Sequence, residues 1–248
     1  MTVVSKYADS MALDATRTRA KLIAAGERLF AMQGIHGAQM RDIVRAAGQA
    51  NDSAVHYHFG SRAGLLGAIC QKHIDAMQPE REARLADQDP APSLETVIAD
   101  LVRPTAARLR TQDGRYFLQI TAQLAGHAGV RSGSQPPPLV GRGLRKQLAQ
   151  VQELCAEQIP VDLAGERVAF MIGALTAALA ERASAVEAGA SFVLDEEQFV
   201  ANVEAMIVAA LRAPIPAAAR VSAASGVAGS GVRARRLQHR RQAAPARP

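Results

Sequence analysis

The chain has 248 residues, 48% of them apolar and only 4% aromatic, with no tryptophan, so a large core can be built mainly from Leu, Ile, Val, Ala and Met. Its two cysteines, Cys70 and Cys155, stand far apart and outside any ligand-like spacing, which excludes a disulfide framework and fits a reduced cytosolic protein. The net charge of +6 is uneven: residues 1–62 carry +3 (8 basic, 5 acidic), residues 63–211 carry −5 (13 basic, 18 acidic), and residues 212–248 carry +8 with no acid, so the basic ends point to a polyanion partner, with a merely solvated tail as the alternative.

The first residues contain no apolar run of the signal-peptide kind, and the longest apolar stretch, residues 168–180, is too short to span a bilayer. Residues 1–15 read as an N-terminal arm. A helix is expected to open at the threonines of "TRTRAKLIAAGERLFAMQG" and to stop at Gly34, with Leu22, Ile23, Gly26, Leu29 and Phe30 on one stripe. The short helix "MRDIVRAAG" stops at Gly48, and a second short helix contains "SAVHYHF". Ser61 caps a longer helix in which Leu65, Leu66, Ile69, Cys70, His73, Ile74 and Met77 share a face, and Pro79 is expected to end it. "ADQDPAPS" reads as a linker and Ser93 as the cap of the next helix, kinked near Pro104. Further helices are expected at 114–127, 139–158, 163–188 and 195–211, with a loop at 129–138 and an Asp-x-x-Gln capping box at 195. Beyond 213 the composition of Ala, Pro, Gly, Ser and Arg predicts a basic disordered tail. The fold class is all-α.

Two short helices joined by a glycine turn form a helix-turn-helix candidate at about 40–59. Ile43, Val44 and Ala47 pack the first helix inward, and Val55 and Phe59 pack the second. The opposite face then shows Asn51, Ser53, His56 and Tyr57, donor-rich side chains of the kind that reach base edges in a major groove. Arg62, at the start of the next helix, offers a phosphate clamp. His56 and His58 are two apart, so they face different sides of a helix and cannot chelate one metal. Ser53 with Asp52 supplies the residue types of an activated nucleophile, but in one short helix their mutual geometry is poor. No metal cluster, glycine-rich phosphate loop or paired carboxylates are visible, and no catalytic residue, cofactor or metal is expected.

The block "KLIAAGERLFAMQGIHGAQMRDIVRAAGQANDSAVHYHFGSRAGLLGAI" resembles the N-terminal domain of the TetR/AcrR family of transcriptional regulators, over roughly residues 17–77. The resemblance rests on "AAGERLF", Gly34, "MRDIVRAAG", "YHFGSR" and the paired leucines, in that order. It implies a helix-turn-helix DNA-binding domain at 16–78 and a helical ligand-binding and dimerisation domain at 79–212. It further implies a cytoplasmic homodimer on a palindromic double-stranded DNA operator, repression, release by an unknown small-molecule effector, and no membrane. On this resemblance Arg41 matches a base or phosphate contact, His56 a position usually held by Tyr, Tyr57 and His58 its neighbours, and Arg62 a phosphate-binding Lys. Gln39 stands at the helix start, where Ala38 replaces the family's usual Thr, and the turn before Asn51 is one residue longer than usual. The alternative is a helical enzyme or interaction module whose N-terminal motif only looks like a DNA reader.

The C-terminal half says less. Phe170, Met171, Ile172, Leu175 and Leu179, then Phe199, Val203, Met206, Ile207 and Leu211, suit two close-packed helices, in a dimer or in an ordinary core. A ligand site is expected within 93–158, where Tyr116, Phe117, Gln123 and His127 mix apolar and polar groups.

Overall fold

The computed structural model describes residues 3–51, 53–87, 89–127 and 142–216, with side chains except those of residues 3–12, His127 and Arg142. The chain divides into Met1–Ala213 and Pro214–Pro248, and every described helix lies in the first unit. The basic tail and the loop at 129–138 therefore fall on or mostly on residues outside the description.

The regular structure of the described residues is all helical, with no strand. α1 (Val3–Gln33) does not start at the threonines near residue 16; it is already helical from Val3, because residues 3–15 contain neither Gly nor Pro to stop it. Gly34, at φ 86°, ends it in the left-handed conformation a helix exit favours. α2 (Met40–Ala46) and α3 (Ala54–Phe59) follow, then α4 (Arg62–Ala86). Leu22, Phe30, Ile43, Leu65 and Ile69 are wholly buried where these helices meet. Gly26 permits α1 and α4 to approach closely, since a Cβ there would stand 3.1 Å from the side chains of Leu65 and Ile69.

Pro79 does not end α4, which runs on to Ala86. A proline removes one backbone bond and crowds the preceding turn. Burial of Met77 and Arg81, on either side of it, keeps the next turns helical. The sequence-based boundary at 78/79 thus falls inside one continuous helix.

α5 (Leu94–Ala106) starts at Ser93, whose hydroxyl accepts from Thr96 N at 3.2 Å, and two residues past Pro104 it tightens into a 3-10 turn, Ala107–Arg110. α6 (Gln112–His127) packs on α1, α4 and α8 and so joins the N-terminal helices to the rest. α7 (Arg142–Ala156), α8 (Val161–Glu187) and α9 (Glu196–Leu211) complete the unit. The expected capping box is present: Asp195 accepts from Gln198 N at 2.8 Å and Gln198 accepts from Asp195 N at 3.1 Å. α8 is long and apolar enough to cross a membrane by length and composition, but here it packs against α6, α7 and α9. Ion pairs tie α9 to α5, with Arg103 at 2.9 Å from Glu204 and Arg212 on Glu95. The Arg182 guanidinium, in α8, lies between the Phe192 and Phe199 rings.

Candidate nucleic-acid interface

The turn between α2 and α3 is built from backbone hydrogen bonds. Gly48 N donates to Arg45 O and Gln49 N to Val44 O, both at 3.0 Å, the paired closure that terminates a helix on a left-handed glycine (φ 69°). Asn51 then opens α3, its Oδ1 accepting from Ser53 N at 2.9 Å and from Ser53 Oγ at 2.7 Å. Ser53 itself makes no cap bond. Asn51 and Ser53 thus form one local turn, in which Asn51 is the organiser.

Ile43, Val44, Ala47 and Val55 are buried, which fixes the rotation of both short helices. Arg41 and Arg45 are then exposed on α2 and His56 and Tyr57 on α3, with Tyr57 81% exposed. Arg45 escaped the sequence reading, although its spacing of four from Arg41 places both on one side of a helix. Asp42 lies 4.0 Å from Arg41 and 3.9 Å from Arg45, exposed contacts of little energetic weight. Gln39 starts α2 without a side-chain cap bond and donates instead to Gly37 O at 3.3 Å. His58 is half-buried, edge-on to Tyr57. Asp52 lies outside the described residues.

Arg62 differs from the outward clamp expected of it. Its Nη1 donates to Ile35 O at 2.5 Å, and its guanidinium lies over the Phe30 ring at 6.0 Å. It braces the exit of α1 against the start of α4. Ser61, by contrast, caps α4 as expected, accepting from Gly64 N at 3.0 Å.

Between α1, α4 and α6 lies a polar cluster that the sequence reading did not assemble. Glu27 of α1, 1% exposed, accepts from Lys72 Nζ at 2.9 and 3.0 Å and is 2.9 Å from His73 Nε2. Lys72 also donates to Asp113 of α6 at 2.8 Å. Glu27, His73 and Asp113 bring ligand atoms within 4.8 Å of one another, the geometry of a cation site, and the Lys72 ammonium already supplies a cation to both carboxylates. The visible signals were a glutamate within the apolar stripe of α1 and a histidine on the apolar face of α4. Burial opposes the charge on Asp113, but the hydrogen bonds from Lys72 and Thr111 prevail and hold its carboxyl below the usual range. Burial likewise opposes the charge on Lys72, and its bonds to Asp113 and Glu27 raise its pKa nonetheless.

Two of the proposed ligand-site residues belong to this junction. Phe117 is buried and stacks on His73, with ring centroids 4.4 Å apart. Gln123 accepts from Ile35 N at 2.9 Å and donates to Phe30 O at 3.1 Å, bridging α6 to the exit of α1. Tyr116 is half-buried, and the side chain of His127 lies outside the described residues. A separate cavity of about 200 Å³ opens between the ends of α5, α7, α8 and α9, lined by Leu94, Cys155, Ile159, Arg167 and Leu211 among others.

No curated protein matches this sequence. Among solved structures, the chain is similar to the fatty acid degradation regulator FadR from Bacillus halodurans (18% identity, 79% of this chain and 95% of that one, TM-score 0.49). It is also similar to a transcriptional regulator from Rhodococcus sp. Rha1 (18% identity, 78% and 95%, TM-score 0.45) and to Salmonella enterica GusR (16% identity, 78% and 95%, TM-score 0.43). Residues 22–69 match the family described as bacterial regulatory proteins, tetR family, and this span contains α2, the turn and α3. The two short helices, packed on α1 and α4 with their polar sides exposed, thus lie within the span that matches this family, and that span carries a helix-turn-helix.

Proposed function

We propose that the protein represses transcription in the cytoplasm by binding a palindromic operator as a homodimer and leaves it when a small molecule binds. The observation that carries this reading is the exposed set Arg41, Arg45, Asn51, Ser53, His56 and Tyr57 on α2, the turn and α3, whose apolar sides are buried. Such a set can donate to base edges and phosphates together. An exposed apolar and small-residue face on α8 and α9 supports the dimer: Phe170 is 67% and Met206 64% exposed, among Ala174, Ala177, Ala201, Ala205 and Ala209. Two-fold symmetry would set the reading helices about 34–36 Å apart, one turn of duplex.

Mobility shift with DNA from upstream of the protein's own gene tests the reading, and a retarded band that neutral competitor DNA does not remove is expected. Arg41→Ala and His56→Ala should each weaken operator binding by about 1–3 kcal/mol and relax preference at one base pair. Arg62→Ala should weaken all sequences alike and also lower the melting temperature, because the guanidinium holds the Ile35 carbonyl. Fluorescence anisotropy at fixed salt, paired with thermal melts, separates the two behaviours. Unchanged operator affinity for Arg41→Ala would remove it from the interface.

A further inference from the structure

α4 carries a buried cation that forms no ion pair among the described residues. Arg81 is only 6% exposed. Among the described residues no carboxylate stands within ion-pair distance of it. The nearest acids on its side of the unit pair instead with Arg84, Glu80 at 3.1 Å and Asp100 at 3.6 Å.

A guanidinium has five N–H donors. Arg81 places Nη2 at 3.5 Å from Thr105 Oγ1 and 4.0 Å from Met77 Sδ, both neutral acceptors at the limit of contact, and its buried Nε has no partner. The Thr105 hydroxyl donates its own proton to Leu101 O at 3.0 Å, so a lone pair is what it turns to Arg81. One turn beyond Thr105, in the 3-10 segment, Arg108 also has a buried Nε without a partner. Met77, Leu101 and Leu109 nearby on these helices are buried and apolar. Burial pulls the Arg81 pKa below its ordinary value, and the attraction of Glu80 offsets this only in part. Leaving such a charge buried and unpaired is unfavourable, and a planar fork of donors matches a carboxylate or phosphate two-pronged.

We propose that Arg81, assisted by Thr105 and Arg108, binds the carboxylate or phosphate head of an organic anion with an apolar body. This rests on the reading of the chain as an effector-responsive regulator, and it names the chemical class of the effector. The position suits that role: Arg81, two residues past Pro79, lies on α4, the helix that packs on α3 and whose Lys72 and His73 hold Glu27 of α1.

The full chain is titrated with decanoate, decyl phosphate and the neutral control decanamide, by calorimetry and by thermal melting. At least one of the two anions should bind and raise the melting temperature, and decanamide should do neither. Which anion binds distinguishes a carboxylate head from a phosphate head. R81M should bind that anion at least tenfold more weakly, while its own melting temperature without ligand stays level or rises because the unpaired charge is gone. R81K, which keeps the charge but not the fork, should fall between. Binding of neither anion by the wild type, equal binding by R81M, or a fall in the ligand-free melting temperature of R81M would each overturn the proposal, the last by marking a structural arginine. Operator binding by the wild type is read separately. Its absence would sink the proposed function and leave the anion result standing.

Discussion

Glu27→Ala is expected to lower stability by about 3 kcal/mol, the scale of breaking a buried charge pair by removing one partner. For a chain of this size that corresponds to a fall in melting temperature of about 6–12 °C. Glu27 is almost fully buried and holds both Lys72 and His73, so its removal leaves a buried imidazole N–H without an acceptor and takes away one of the two carboxylates on Lys72. Lys72 retains Asp113. A double-mutant cycle of Glu27→Ala with Lys72→Met should therefore show coupling, the two losses together being smaller than their sum. Strict additivity in thermal or denaturant unfolding would mean that the cluster does not act as a unit. The pH dependence follows from the shifts. Asp113 has its pKa lowered from 3.8 in the fold, so its stabilisation is present above that value and is lost as pH falls through the lower folded value. Lys72 has its pKa raised from 10.5, so its contribution is present below that value and is lost as pH rises through the higher folded value. Wild type should accordingly exceed Asp113→Asn in melting temperature at neutral pH and lose that advantage at strongly acid pH.

Met206→Arg and Phe170→Arg should each give a folded monomer with much weaker operator binding. Both side chains are exposed on α9 and α8, so the protomer tolerates the change while a like pair of new cations meets across a two-fold axis. The loss of operator affinity follows because only a dimer engages both half-sites at once. Leu175, which the sequence places with Met206 in the apolar sets of these two helices, is 5% exposed and belongs to the core of the protomer. Leu175→Arg should unfold the chain instead, by burying an unpaired charge. Sedimentation velocity with circular dichroism distinguishes the outcomes: helical monomer for the first two, loss of helix for the third. A wild type that sediments as a monomer at micromolar concentration would defeat the dimer.

The difference between Leu175 and Met206 shows where sequence stops. The 3.6-residue spacing of apolar side chains is a local property, and it was enough to find α2, α3, α6, α8 and α9 and the caps at Ser61, Ser93 and Asp195. The same spacing turned Ile43, Val44, Ala47 and Val55 inward and so left Arg41, His56 and Tyr57 outside. Periodicity cannot tell a face buried within the protomer from one awaiting a partner, because both are apolar. It also misjudged Pro79, where a local penalty is outweighed by burial of Met77 and Arg81. Contacts between distant segments depended on packing alone. Lys72 meets Glu27 and Asp113 across 45 and 41 residues of chain, and Gln123 reaches Phe30 across 93. Arg62 and Arg81 are both basic residues of α4. Tertiary structure decides that the first braces Ile35 and that the second is enclosed without an ion pair among the described residues, since burial and partners are set by neighbours that the local sequence does not contain.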